Sequence, residues 1–187
     1  MVNHASALQA GDIFAARGQG IVGWLSARLL APATDRFHFG LIWLKTADDY
    51  VILESLGHGI VTGRLSFYKG RDLRFYRVAC PPKLRSQAPV ELTRWGRSSY
   101  DYLLIIKLLV QSLWLLIWNL LTRGRLRRIR AEELSWCGNS SFICTEAVAL
   151  AYDAVGVNLI PHGTAPLPSS FKQAEHEGRI YEISPSV

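Results

Sequence analysis

The sequence predicts an α+β fold, with short antiparallel strands in its first half and a cysteine-bearing helix in its second. Two observations carry that prediction. Residues 37–44 and 50–55 are rich in aromatic and branched side chains, and the polar run Lys45-Thr46-Ala47-Asp48-Asp49 separates them as the turn of a hairpin. Residues 139–152 change period: Ala147, Val148 and Ala151 follow Cys144 by three, four and seven positions and so share one side of a helix. At 187 residues the chain suits one domain with a sizeable core.

Taken in order, Gly11-Asp12-Ile13-Phe14-Ala15 reads as a strand entered from a turn. Residues 18–30 place Ile21, Val22, Trp24, Leu25, Leu29 and Leu30 at helical spacing, and Ala31-Pro32-Ala33-Thr34-Asp35 breaks that helix. The hairpin follows. Symmetric closure on its polar turn sets Leu44 opposite Asp48 or Tyr50, and His38 opposite Glu54 or Leu56. Both registers put His38 and Glu54 on one face, whereas a one-residue slip separates them. A carboxylate beside a histidine fixes its tautomer and supports the imidazolium. Gly57-His58-Gly59 forms a turn, with His58 a turn residue, and Ile60 and Val61 re-enter the sheet. Residues 73–78 alternate as a half-exposed strand, ended by Cys80-Pro81-Pro82.

In the cysteine helix, Ser140 or Ser141 can serve as N-cap; with Ser141, Cys144 takes the third helical position. Gly156 is the stop signal. Open amides and the macrodipole favour an anion at a helix start, so Cys144 is a candidate nucleophile if a histidine reaches it. The plainer alternative is a small buried apolar residue. Cys80, Cys137 and Cys144 make no disulfide framework and no CxxC pair, although Cys137 is near enough to serve as a resolving partner. His4, His162 and His176 show no zinc-ligand spacing, and His162 suits a loop. No metal and no cofactor are expected. The first six residues lack a basic region followed by an apolar run, so a cleavable signal is not expected.

Hydrophobic residues make up 49% of the chain, the net charge is +6 and the pI about 9.5. Arg123, Arg125, Arg127, Arg128 and Arg130 cluster directly after residues 103–121, the most apolar stretch. That pairing fits an anionic membrane surface better than nucleic acid, with a solvated basic face as the bland alternative. No phosphate loop or base-reading motif occurs, and no nucleic acid partner is expected. Residues 103–121 are about as long as a bilayer-spanning helix, interrupted by Lys107, Gln111, Ser112 and Asn119. Were it a lone crossing, His38 and Glu54 would lie on one side and Cys144 on the other. A Cys-His site therefore requires the helix to pack against this domain or a partner, the first expectation, or to lie on a membrane surface.

Gly11-Asp12-Ile13-Phe14, His38-Phe39-Gly40-Leu41, Leu53-Glu54-Ser55, Tyr100-Asp101-Tyr102 and Phe142-Ile143-Cys144-Thr145-Glu146 resemble, in this order, motifs of the circularly permuted NlpC/P60 papain-like family, in its YiiX/YaeF-like branch. The segment Pro161 to Phe171 looks like that branch's proline-rich stretch before a final helix. The likeness spans most of the chain apart from roughly residues 103–135, an insert in a single permuted domain of residues 1–187. The resemblance implies a permuted papain-like fold with Cys144 as nucleophile, His38 as general base and Glu54 as its orienting partner. Tyr100 or Tyr102 would line the substrate site, Tyr100 preferred. It implies a cysteine hydrolase acting through a thioester on amide bonds of cell-wall peptides, or on lipid-linked acyl groups as related branches do. The Cys144 amide is the natural oxyanion donor, with no second donor identified. The insert, through residues 103–130, would meet a membrane surface or a protein partner. Two non-catalytic alternatives stand beside this: a structural or assembly protein using the same scaffold, and a membrane-spanning protein.

Overall fold

The computed structural model describes residues 7–18, 30–96, 101–123, 128–134 and 143–185. Its strands are β1 (Ile13–Arg17), β2 (Leu30–Ala31), β3 (Arg36–Lys45), β4 (Tyr50–Leu56), β5 (Gly59–Arg64), β6 (Leu73–Val78), β7 (Ile129–Arg130) and β8 (Ile180–Ile183). The helices are α1 (Pro82–Thr93), α2 (Tyr102–Arg123), α3 (Cys144–Asp153) and α4 (Pro168–His176). Six strands form one antiparallel sheet in the order β5-β4-β3-β1-β6-β8, and β2 pairs with β7 in parallel. The protein is α+β.

Period-two alternation sorts the strand residues onto two faces. On one, Ile13, Phe39, Leu41 and Leu53 meet α1, α3 and α4, with the Phe39 and Phe171 rings tilted by 34° at 4.7 Å between centroids. Ala147, Val148 and Ala151 are buried there as expected, and their small size lets α3 lie close to the sheet. On the other face Phe14, Ile42, Ile52 and Phe75 pack with Leu65 and Tyr68 of a 3-10 turn, Leu65–Tyr68.

Gly11 and Asp12 lie just before β1 and form a latch. A Cβ on Gly11, whose φ is +86°, would sit 2.0 Å from the Arg85 carbonyl oxygen, so only glycine fits. The fully buried Asp12 carboxylate accepts two hydrogen bonds from Arg77, at 2.8 and 2.7 Å, and one from the Gln9 amide at 2.8 Å. The Tyr152 hydroxyl donates to the Gly11 carbonyl, tying α3 to the same corner.

Several elements differ from the sequence expectations. The helix expected at residues 18–30 falls mostly outside the described residues, and Leu30 belongs to β2. β6 spans residues 73–78 as expected, only part of its side chains buried, and lies between β1 and β8. Pro82 does more than end it, because it opens α1 at a first-turn position where its missing N–H costs nothing. Ser140 and Ser141 lie outside the described residues, and the N-cap of α3 is Ile143, still extended at φ −83°, ψ 163°. Cys144 is therefore the first helical residue, not the third. The Glu146 carboxylate, at the third helical position, reaches back to accept from the Ile143 amide at 3.4 Å, while no N-cap side chain bonds the first-turn amides. Gly156, at φ +79°, stops α3 as expected.

α2 reverses the usual amphipathic order. Ser112 and Asn119 are buried, while Leu103, Val110, Trp114 and Trp118 are more than half exposed. Burial of the segment's apolar side against this domain is thus not what the structure shows. Leu115 and Leu116 pack against an apolar cluster that includes Leu30, Ile129 and Ile143, and their neighbours across the helix face outward. Among the described residues, no helix is long and apolar enough to cross a membrane.

Candidate active site

The site begins with the register of β3 on β4. Gly40 opposes Glu54, Leu41 opposes Leu53 and Ile42 opposes Ile52. His38, two residues before Gly40, thus shares a face with Glu54 on the diagonal, the second of the two anticipated arrangements. Nearer the turn the ladder slips, and Leu44 opposes Val51 instead of Asp48 or Tyr50. A bulge between Ile42 and Leu44 absorbs the extra residue, so the slip never reaches His38.

His38 Nε2 lies 2.5 Å from Glu54 Oε2. The Tyr68 hydroxyl donates to the same oxygen, also at 2.5 Å. Glu54 is 5% exposed, and these two donors compensate its burial. The His38 and Tyr68 rings are nearly parallel, 8° apart with centroids separated by 6.0 Å, and Phe14 closes on both from the side. Phe14 occupies the space above Gly40: a Cβ there would sit 2.4 Å from Phe14 Cε1 and 2.6 Å from the Leu53 carbonyl oxygen. A glycine at position 40 thus lets a phenylalanine wall in the histidine.

Cys144 arrives from the other layer. α3 packs on the sheet face opposite His38, and its first residue reaches the start of β3, where Cys144 Sγ donates to the Phe37 carbonyl at 3.5 Å. That contact sets the thiol beside His38, the next residue of β3. Burial alone would lower the His38 pKa, but the neighbouring Cys144 and Glu54 side chains outweigh burial and raise it from 6.5 to about 9. The imidazolium is therefore the favoured form at neutral pH. Burial, then the neighbouring Glu54 carboxylate, push the Tyr68 phenol well above its ordinary range, so it remains a donor.

The structure brings Cys144, His38 and Glu54 together. Tyr100 lies outside the described residues, as do Cys137 and His4, and Tyr102 begins α2 with its side chain outside them. His58 sits in the exposed turn between β4 and β5, and His162 is an exposed loop residue 3.8 Å from Asp153. Cys80 and Cys144 are free thiols. Among the described residues, no group of three His, Cys, Asp or Glu side chains could hold a metal ion. Sequence reasoning missed Tyr68 and the Phe14–Gly40 contact. The small residue between His38 and Ile42 was the one available sign that a bulky neighbour crosses there.

Chemically, a sulfur, an imidazole and a carboxylate in series can hold a proton on the ring and leave the sulfur nucleophilic. The first amides of α3 have no carbonyl one turn earlier to bond, so the Cys144 N–H is placed at a helix start suited to a developing oxyanion. No family model matches the chain, and no curated protein matches it.

Proposed function

We propose that the protein is a cysteine hydrolase with a permuted papain-like fold, acting on amide bonds through a thioester. The observation that carries it is His38 bonded to Glu54 at 2.5 Å, with Cys144 brought beside it by the contact of its Sγ with the Phe37 carbonyl. Supporting it are the order of histidine strand before cysteine helix and the placement of Cys144 as the first residue of α3.

With its proton held on His38, the Cys144 sulfur attacks the substrate carbonyl carbon, and the carbonyl π pair moves onto oxygen beside the Cys144 N–H. Collapse breaks the C–N bond; His38 gives its proton to the departing amine and a thioester remains. A water then gives a proton to His38 as it attacks the thioester. The C–S bond breaks, and the carboxylic acid leaves with Cys144 and His38 restored. Glu54 keeps the ring oriented throughout, and Tyr68 keeps Glu54 oriented. Peptides of the cell-wall type are the first substrate class, with Tyr100 or Tyr102 at its border.

A second reading is acyl transfer or hydrolysis on lipids, favoured by one observation: Leu115 and Leu116 of the outwardly apolar α2 pack against the apolar cluster that includes Ile143, the residue before Cys144. The test is Cys144→Ala. Hydrolysis of a responsive peptide or lipid substrate is expected to fall by about 10³-fold or more. Retention of full activity would end the proposal. Failure of an electrophilic thiol probe to label Cys144 in the folded protein would favour an assembly protein built on the same scaffold.

A further inference from the structure

We propose that the outward side of α2 is a docking surface for an anionic lipid bilayer. A helix on a water-facing surface turns its polar side out. α2 does the opposite: Ser112 and Asn119 are 4% and 6% exposed, while Leu103, Ile106, Val110, Leu113, Ile117 and Leu121 are 44–79% exposed. Those six recur at three- and four-residue steps and form one stripe roughly 27 Å long at the helical rise. Trp114 and Trp118 flank it, 63% and 55% exposed. An unbroken apolar strip of that length exceeds the scattered exposure of ordinary surfaces and marks an interaction site.

Charge decides the occupant. Residues 102–130 hold six Lys or Arg and no Asp or Glu, which equals the net charge of the whole chain, +6. All other residues together are balanced. Arg128 and Arg130 are exposed on β7 and its approach, beside the helix end. A second copy of this chain would meet it with the same segment, which carries six cations and no carboxylate. An anionic bilayer supplies both an apolar layer for the stripe and phosphates for the cations. Lys107, exposed at the stripe's edge, can lay its methylene stem along the acyl boundary and keep its ammonium at the headgroups. The inner side of the same helix packs against the cluster that contains Ile143, so docking would hold the start of α3 on the membrane-facing side of the protein.

The experiment is vesicle flotation of the full chain carrying Cys144→Ala, which keeps the outcome independent of hydrolysis. Phosphatidylcholine vesicles with about a third phosphatidylglycerol are compared with phosphatidylcholine alone. The expected result is flotation with the anionic vesicles, at least about tenfold weaker on the neutral ones and weakened by salt. Val110→Asp with Ile117→Asp should abolish flotation while leaving circular dichroism and melting unchanged, since both side chains are exposed. Protein that stays at the bottom of the gradient with anionic vesicles would overturn the proposal. So would equal flotation of the double variant, or a dimer that the double variant dissociates while the parent chain never floats. Loss of flotation would leave the hydrolase proposal standing, because that is judged by the activity of the Cys144→Ala chain.

Discussion

At the scale of single residues, Glu54 Oε2 is where the candidate site is held, with His38 and Tyr68 both 2.5 Å away. The two donors have separable effects. Glu54→Gln removes the charge that favours the imidazolium, so catalytic turnover should drop by about 10²-fold or more. The alkaline limb of kcat/KM, expected near pH 9 from the raised His38 pKa, should move down. Tyr68→Phe removes only the hydroxyl. It should cost about 1.5–3 kcal/mol of stability and lower activity, but the limb should not move down. A pH–rate profile of both variants checks this. The same shift bears on stability. A folded-state pKa of about 9 against 6.5 contributes stability fully present below pH 6.5 and lost as pH rises through 9. For this largely buried ring the contribution is about 3 kcal/mol at most.

At the scale of elements, the central device is β3, whose bulge lies on the turn side of His38 and whose Gly40 admits the Phe14 ring. Gly40→Ala sets a methyl group against a ring and a backbone oxygen that cannot both yield. The expected cost is about 1–3 kcal/mol, or roughly 3–10 °C in Tm for a chain of this size, with a disproportionate loss of activity as Phe14 is pushed onto His38. Thermal melting and turnover measured together check it. The hairpin was legible in the sequence because its strands are branched and aromatic and its turn is polar. The shared face of His38 and Glu54 followed from alternation alone. The bulge was not legible, since sheet twist and pairing on both edges of β3 decide where an extra residue is absorbed. α1 was hidden by Pro81, Pro82 and Pro89, which argue against a helix one at a time. Tyr68 reaches Glu54 through a 3-10 turn with no periodic signature, so nothing in the chain announced it.

At the scale of the whole molecule, two layers must meet for the site to exist. His38 looks away from the helices, and Cys144 belongs to one of them; they come near each other where α3 reaches the start of β3, at the Phe37 carbonyl. The Asp12–Arg77 latch and the Tyr152 bond to Gly11 fix that corner from the far end of α3. Sequence separation between the histidine and the cysteine hid this convergence, and only the ordered motifs hinted at it. The contact also places both flanks of α2 on one side, consistent with a helix that does not cross a membrane.

The most direct measurement is the rate at which a small electrophilic probe modifies each cysteine in the folded chain near pH 6.5, mapped by peptide mass, for the native chain and for His38→Ala. Cys144 should react at least about tenfold faster than Cys80, lose that advantage in His38→Ala, and lose it again when urea unfolds the chain. Equal rates at Cys144 and Cys80 in the folded native chain, or a fast Cys144 that ignores the loss of His38, would contradict the account.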